Sequence, residues 1–229
     1  MICFAGDGGT YDIGLATISA AAERNEDVLF ICYDNEIYGN TGGQRSSATP
    51  FGARTTTTPH GKHVEKKDIL AIMAAHRLPY VASVSMGHSE DMMRKFRRAL
   101  DARGFRFLHI LSPCPTGWKS EPAEGIELVR LAVACGLYPV LEIVDGYDWH
   151  INIEPSFSED ALRTFITHQG RFARSEVSIE DVQKAIRHSW QVLRTRTARG
   201  ERTDDGSTTG MTRPVAGDTG TSPHPIAAE

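Results

Sequence analysis

Short apolar runs alternate with segments of helical periodicity along most of the chain. Continuous apolar runs are typical of strands buried in a parallel sheet, and apolar positions three and four residues apart are typical of helices packed on it. Because the two kinds of segment alternate, we expect an α/β fold with a doubly wound, mostly parallel sheet, which binds ligands at the carboxyl ends of its strands. Strands are predicted over residues 2–5, 28–33, 80–85, 105–111 and 138–144, and helices over residues 10–25, 66–77, 89–103, 122–135 and 178–196.

Several residues at the ends of these helices favour the predicted boundaries. Ser89 is expected to cap the third helix, where an N-terminal hydroxyl can accept a backbone hydrogen bond. Gly136 is expected to close the fourth helix, because glycine readily adopts the left-handed conformation found after helix ends. Ser178 and Asp181 form a capping-box pattern that opens the fifth helix.

The composition of the chain changes near its C-terminal end. The 229 residues are 40% hydrophobic, enough to bury one sizeable core. From residue 197 to residue 229 the sequence turns to Gly, Thr, Pro, Asp and Arg, with almost no residues that could form a core. We therefore expect one domain over residues 1–196, followed by a low-complexity, disordered C-terminal tail over residues 197–229.

Charge and hydropathy exclude some classes of partner. The formal net charge of -4 gives no general attraction to nucleic acid or to anionic lipid. The sequence has no run of about 18 apolar residues and no secretory signal pattern, so we expect no membrane association and a cytoplasmic protein. The 4 cysteines are widely scattered, which argues against a disulfide framework.

A glycine-rich loop follows the first predicted strand. Residues 6–10 read Gly-Asp-Gly-Gly-Thr, and glycines at such a turn let backbone N–H groups approach a phosphate closely. A tight turn between strand and helix is the simpler interpretation. A dinucleotide-binding loop would place a third glycine where Tyr11 stands, and a P-loop would add Lys-Ser or Lys-Thr, so both of these alternatives lose support.

Asp7 is the unusual residue of this loop, because its carboxylate would repel a diphosphate unless a divalent cation lay between them. Mg²⁺ prefers oxygen ligands from carboxylates, amides and carbonyls together with phosphates. After the second predicted strand, Asn35 offers an amide oxygen and Ile37 a carbonyl oxygen exposed by a turn. The sequence therefore predicts a Mg²⁺ site at the tips of these two strands.

The spacing of GDG and the following Asp34-Asn35 pair resembles the motif of thiamine-diphosphate-dependent enzymes. Within them, the run DNEIYGNTGGQRSSATPFGA over residues 34–53 and SPCPTGW over residues 112–118 resemble the β subunit of pyruvate:ferredoxin oxidoreductase, in the 2-oxoacid:ferredoxin oxidoreductase family. The resemblance covers residues 1–150 approximately and implies the thiamine-diphosphate-binding fold.

The resemblance also implies roles for individual residues. Asn40 would face the reactive ring of the cofactor and donate an N–H group to negative charge developing on the substrate; the less favoured alternative is a turn residue before Thr41. The Mg²⁺ ligands would be Asp7, Asn35 and Ile37, and the diphosphate would contact Gly6, Gly8, Gly9 and Thr10.

The activity implied is the coenzyme A-dependent oxidative decarboxylation of pyruvate, or its reverse, pyruvate synthesis, with electrons exchanged with ferredoxin. The implied partners are the α, γ and δ subunits of the oxidoreductase, and the glutamate that activates thiamine diphosphate would come from the α subunit. The chain alone would then be inactive. Two alternatives stay open: the same chemistry on a branched-chain or aryl 2-oxoacid, and a truncated, non-catalytic remnant that only binds the cofactor.

Cys114 stands where the resemblance places the last of the four cysteine ligands of a [4Fe–4S] cluster. The other three would precede the glycine-rich loop, and Cys3, Cys32 and Cys135 do not match their positions. We therefore expect one of three situations: the N-terminal cluster segment is absent from this chain, another polypeptide supplies it, or the cluster is lost.

Overall fold

A computed structural model of the protein describes residues 1–200, with the side chains of the last two left out. The predicted disordered tail falls largely outside this range, since residues 201–229 are not described. Residues 197–200 of that predicted tail belong to the last helix, Ile179–Gly200. Within the described residues no helix is long and apolar enough to cross a membrane.

One six-stranded sheet organises the chain. Its strand order is β1-β2-β4-β3-β5-β6. Strands β1, β2, β4 and β3 run parallel to one another. Strand β5 is antiparallel to β3, and β6 is antiparallel to β5. The expectation of a mostly parallel sheet is confirmed. The strands are β1 Ile2–Gly6, β2 Leu29–Asp34, β3 Tyr80–Ser85, β4 Arg106–Leu111, β5 Val140–Val144 and β6 Asp148–Ile153.

The described residues contain seven α-helices, five between strands and two after the last strand. The predicted helix over residues 10–25 is divided into a π-helical turn, Gly8–Asp12, and α1. A 3-10 turn, Pro122–Glu124, precedes α5. The helices are α1 Leu15–Glu23, α2 Ile69–Ala74, α3 Ser89–Asp101, α4 Pro115–Trp118, α5 Gly125–Ala134, α6 Glu159–Thr167 and α7 Ile179–Gly200.

The predicted helix ends are partly confirmed. Ser89 was the wrong cap for α3, because His88 occupies the N-cap position and no side chain accepts a capping hydrogen bond there. Gly136 follows α5 with a φ of 85°, the left-handed conformation expected of it. The Ser178 hydroxyl accepts a hydrogen bond from Asp181 N at 3.1 Å, as a capping box requires.

Apolar side chains of the strands point to both faces of the sheet and are covered by different helices. On one face, Phe30 and Phe107 stack in the main core, to which α1, α2 and α7 also contribute. On the other face, Ile31 and Leu108 pack with Ala99 of α3. Helices therefore lie on both faces, as a doubly wound sheet requires.

Phe→Ala substitutions can compare how much a side chain contributes to stability at the buried centre and at the exposed edge of the sheet. Phe107 on β4 is fully buried, whereas Phe4 on β1 is 64% exposed. Phe107→Ala is expected to lower the free energy of unfolding by about 3–5 kcal/mol, through lost burial and a residual cavity. Urea unfolding of the isolated chain measures this loss.

Phe4→Ala is the matched control, since the same atoms are removed from an exposed position. Its effect should stay below about 1 kcal/mol. Equal losses for the two variants would contradict the placement of β4 in the centre of the sheet and of β1 at its edge.

Candidate functional site

The parallel register of β1 and β2 brings the two predicted loops together. Gly6 at the end of β1 pairs with Tyr33 of β2, so Asp7 and Asp34 follow at the same edge of the sheet. The negative charge of Asp34 is one of the influences that raise the pKa of Asp7. The Asp7 loop and the loop after Asp34 are therefore neighbours, as the sequence predicted.

The glycine-rich loop forms a tight π-helical turn. Ile13 N donates to Gly8 O at 3.1 Å, and the Thr10 hydroxyl donates to Gly6 O at 2.8 Å. A Cβ atom on Gly14 would lie 2.0 Å from Gly9 O, so the turn requires glycine there. On Gly8, a Cβ atom would lie 2.7 Å from the Tyr38 ring. The glycines thus allow the two loops to pack directly against each other.

Asp7 is a buried carboxylate with one oxygen atom that has no partner among the described residues. It is 3% exposed, and its Oδ2 atom accepts no hydrogen bond there. Burial, followed by the charge of Asp34, raises the pKa of Asp7 to about 7, although the Ser46 hydroxyl and Lys66 oppose the shift. Because a buried charge needs compensation, a cation beside Oδ2 would fit this site.

The second loop offers oxygen atoms at the same edge of the sheet as Asp7. The half-buried Asn35 side chain accepts a hydrogen bond from Ile37 N at 3.2 Å, which closes an Asx turn. The described residues donate no hydrogen bond to the Ile37 carbonyl oxygen. One carboxylate, one amide and one carbonyl are the ligand types that suit Mg²⁺. The residues of the two loops therefore fit a magnesium ion.

Asp12 links the two loops through hydrogen bonds. Its role was not predicted from the sequence. Its carboxylate accepts hydrogen bonds from the Tyr38 hydroxyl and from the backbone and hydroxyl of Ser47, and it pairs with Lys67 at 3.3 Å. Burial opposes ionisation of Asp12, but the hydrogen bonds from Ser47 and Tyr38 outweigh it and lower its pKa. An ionised Asp12 therefore ties the first loop to the second.

Asn40 lies at the tip of the second loop. The loop is closed by Tyr38 and Gln44, which form an isolated β-bridge. Asn40 is exposed, and its side chain forms no hydrogen bond with the described residues. The amide is therefore accessible to a ligand, but its geometry also suits a turn residue.

A cluster of buried charges lies behind the second loop. Asp34 pairs with Lys66 at 3.4 Å and with His109 Nε2 at 2.9 Å. Burial opposes its ionisation, but the Lys66 charge and the His109 hydrogen bond outweigh burial and hold the pKa of Asp34 at about 2. Glu36 pairs with Lys66 at 2.6 Å and with Arg171 at 2.7 Å. The two acids are thus compensated by cations, whereas Asp7 is not.

Cys114 lies beside the second loop and apart from the other cysteines. It caps α4, where its sulfur accepts a hydrogen bond from Gly117 N at 3.3 Å, and Gly117 packs against Ile37. Within the described residues, no group of three or more His, Cys, Asp or Glu side chains could hold a metal. Cys114 alone does not fit a four-thiolate cluster. The other three, Cys3, Cys32 and Cys135, belong to the main core.

A separate cavity of about 290 Å³ lies on the main-core face of the sheet. Tyr11, His109 and Tyr138 line part of it, and apolar side chains of α7 line another part. The tyrosine hydroxyls are both within hydrogen-bond distance of His109. Asp7, Asn35 and Ile37 do not line this cavity, so it is not the predicted cation site.

Comparison with known proteins identifies related sequences. Residues 1–110 match the family described as thiamine pyrophosphate enzyme, C-terminal TPP binding domain. Pyruvate synthase subunit PorB of Methanothermobacter marburgensis is 44% identical over 200 residues, which cover 85% of this chain and 69% of that protein. Ketoisovalerate oxidoreductase subunit VorB of Pyrococcus abyssi is 42% identical over 201 residues, which cover 85% of this chain and 64% of that protein.

The match to other relatives also covers only part of their length. PorB of Methanocaldococcus jannaschii is 44% identical over 84% of this chain and 66% of its own length. The chain thus spans about two thirds of the curated relatives it matches. A solved 2-oxoglutarate:ferredoxin oxidoreductase from Magnetococcus marinus matches 55% of this chain and 50% of that chain, with 26% identity and a TM-score of 0.45, which is too low to support an argument about the site.

The unpaired Asp7 carboxylate is expected to make the stability of the metal-free protein depend on pH. Its pKa of about 7 lies above the ordinary value of 3.8, so the folded state binds the proton more tightly than the unfolded state. The stabilisation is complete below about pH 4 and is lost as the pH rises through about 7, by on the order of a few kcal/mol. Urea unfolding in the presence of a chelator measures it.

Asp7→Asn provides the comparison, because an amide does not titrate. Wild type should lose stability relative to this variant as the pH rises, and the variant should be the more stable of the two above about pH 7. A difference that stays constant with pH would contradict the assignment.

Proposed function

Because the chain belongs to the family of 2-oxoacid oxidoreductase subunits that contains PorB and VorB, we propose that it is the β subunit of a 2-oxoacid:ferredoxin oxidoreductase. We propose that it binds thiamine diphosphate and Mg²⁺ for this reaction. The observation that carries the proposal is the buried Asp7 carboxylate, with its unpaired Oδ2 atom, at the same edge of the sheet as the oxygen atoms of Asn35 and Ile37. All three residues lie within the matched residues 1–110.

Each loop has its own part in the proposed binding. Asp7, the Asn35 side chain and the Ile37 carbonyl would hold Mg²⁺, which would compensate the charge of the carboxylate. The glycine-rich turn would contact the diphosphate through its backbone N–H groups. The contacting residues in this turn are Gly6, Gly8, Gly9 and Thr10.

The proposed reaction is the coenzyme A-dependent oxidative decarboxylation of pyruvate, or its reverse, with electrons passing to or from ferredoxin. Thiamine diphosphate, when bound, supplies the nucleophilic carbon for attack on the 2-oxo group. Asn40 donates its amide N–H to the oxygen of that group as negative charge develops there. The loop closed by Tyr38 and Gln44 holds Asn40 at its tip.

Partner chains complete the proposed enzyme. The cofactor-activating glutamate belongs to the α subunit in this proposal, and γ and δ subunits carry electrons to ferredoxin. A [4Fe–4S] cluster on Cys114 would require three ligands from elsewhere, and the steps given to this chain do not depend on it. The proposed assembly contains neither nucleic acid nor membrane and is cytoplasmic.

A branched-chain 2-oxoacid is the second candidate substrate, and the sequence identities support it. The identity to a ketoisovalerate oxidoreductase subunit is 42%, nearly equal to the 44% identity to a pyruvate synthase subunit. The third alternative is a cofactor-binding chain without electron transfer, which predicts binding but no turnover in the assembled complex.

Removal of the Asp7 carboxylate is expected to abolish Mg²⁺-dependent cofactor binding. Asp7→Ala should weaken thiamine diphosphate affinity at least about 10–100-fold in the presence of Mg²⁺, because a charged ligand of the metal is lost. Isothermal titration of the assembly in which the chain purifies, with Mg²⁺ and with a chelator, measures this change.

Asp101→Asn, at the far end of α3, removes an exposed carboxylate and should leave the affinity unchanged. If Asp7→Ala binds the cofactor with wild-type Mg²⁺ dependence, the proposed coordination is wrong.

The proposed role of Asn40 predicts a loss of rate without a loss of binding. Asn40→Ala should lower kcat about 100–1,000-fold, since removal of one donor to an oxyanion has effects of this size. Thiamine diphosphate affinity should remain near that of wild type. Assays of ferredoxin reduction with pyruvate and with ketoisovalerate measure kcat and KM in the assembled enzyme.

The loss should be similar for the two substrates, because both carry the 2-oxo group, and the wild-type ratio of kcat/KM identifies the preferred one. Thr41→Ser in the same loop is the control. A wild-type kcat for Asn40→Ala would make Asn40 a turn residue only.

A further inference from the structure

Glu36 occupies an unusual position between two proposed metal ligands, Asn35 and Ile37. Its φ is 65°, in the left-handed region that side chains with a Cβ atom adopt rarely. A residue in this conformation needs surrounding contacts to hold it. The direction of the Ile37 carbonyl depends on this backbone, because it follows Glu36 directly.

All four polar groups of Glu36 are held by other residues. Its backbone N donates to Asp34 Oδ1 at 2.8 Å, and its carbonyl accepts from the Thr49 hydroxyl at 2.7 Å. The carboxylate, which is 3% exposed, lies 2.6 Å from Lys66 Nζ through Oε1 and 2.7 Å from Arg171 Nη2 through Oε2. Since both oxygens face cations, Glu36 is not itself available as a metal ligand.

Arg171 connects Glu36 to a third part of the chain, after α6. Its guanidinium lies 4.3 Å above the Trp118 ring, a favourable arrangement for a cation and an aromatic face. The Trp118 indole N–H donates to Asn35 O at 2.9 Å, and Arg171 N donates to Trp118 O at 3.3 Å. Trp118 thus holds the residue before Glu36, and Arg171 holds Glu36 itself.

We infer that the Glu36–Arg171 ion pair, supported by Trp118, is the positioning device that fixes the Asn35 amide and the Ile37 carbonyl for Mg²⁺. This inference rests on the proposed function. Arg171 Nη2 and Glu36 Oε2 form a charge pair at 2.7 Å rather than an aligned hydrogen bond. Without this pair, Glu36 keeps Lys66 but loses the cation that ties it to Trp118 and α6, so the left-handed conformation is held less firmly and the ligands are less well preorganised.

A purely structural role is the main alternative, because an unpaired buried charge also destabilises a fold. Glu36→Gln leaves Arg171 without its acid and should lower both stability and metal affinity. The double variant Glu36→Gln/Arg171→Met removes both members of the pair, while Asp34 and Lys66 still compensate each other. It should regain much of the stability but not the metal affinity.

The test is titration with Mn²⁺, used as a spectroscopic probe for the Mg²⁺ site, in the presence of thiamine diphosphate. The full chain is used in the assembly in which it purifies. Loss of supporting contacts around metal ligands typically weakens metal affinity about 10–100-fold, and we expect this for Glu36→Gln and for the double variant. Hydrogen exchange of the backbone amides of residues 35–39 should be faster in both.

Glu142→Gln is the matched control. Glu142 is also a buried acid, 5% exposed, and it pairs with Arg94 and Arg98 and accepts from the Tyr80 hydroxyl. It belongs to β5, away from the two loops. The variant should lose stability, but its Mn²⁺ affinity should stay within about twofold of wild type, since distant sites are usually independent.

The possible outcomes separate the inference from the function on which it rests. Absence of thiamine diphosphate-dependent Mn²⁺ binding in wild type would overturn both. Binding in wild type with unchanged affinity in Glu36→Gln would overturn the inference alone. Recovery of affinity together with stability in the double variant would also overturn it, because the pair would then have only a structural role.

Discussion

Two carboxylates at neighbouring strand ends cannot both remain charged in a buried place unless cations compensate them. Asp34 is compensated by Lys66 and His109, and its pKa is about 2. Asp7 has no such partner among the described residues, and its pKa is about 7. The two neighbours therefore differ, because the charge of Asp34 is stabilised by the protein, whereas that of Asp7 is not.

Local signals allowed much of the fold and part of the candidate site to be predicted. The strand over residues 80–85 is confirmed at both ends, because its apolar run is buried on both faces. The placement of Asp7 and Asn35 at the same edge of the sheet was also predicted from the sequence, since the carboxyl ends of adjacent parallel strands meet at one edge. The binding roles of Asp7, Asn35, Ile37 and Asn40 stay predictions.

Other features were missed. Strand β6 was not predicted, although its residues alternate strictly between polar and apolar and the Asp145-Gly146 pair before it, with φ values of 52° and 77°, was a usable hairpin signal. Arg171 could not be found in this way, because its contact with Glu36 joins segments far apart in sequence. The prediction that Ser89 caps α3 was wrong because the preceding residue, His88, already has the non-helical backbone of an N-cap residue.

Strand β1 is the edge of the described sheet and has a hydrogen-bonded neighbour on one side only. Edge segments with few buried contacts open locally at a lower free energy than the rest of a domain. Opening of β1 would remove Asp7 from the second loop, so any ligand that bridges the two loops must stabilise the edge strand. By linkage, closure of that strand and ligand affinity reinforce each other by the same factor. The outermost strand would therefore report site occupancy through its own protection from solvent.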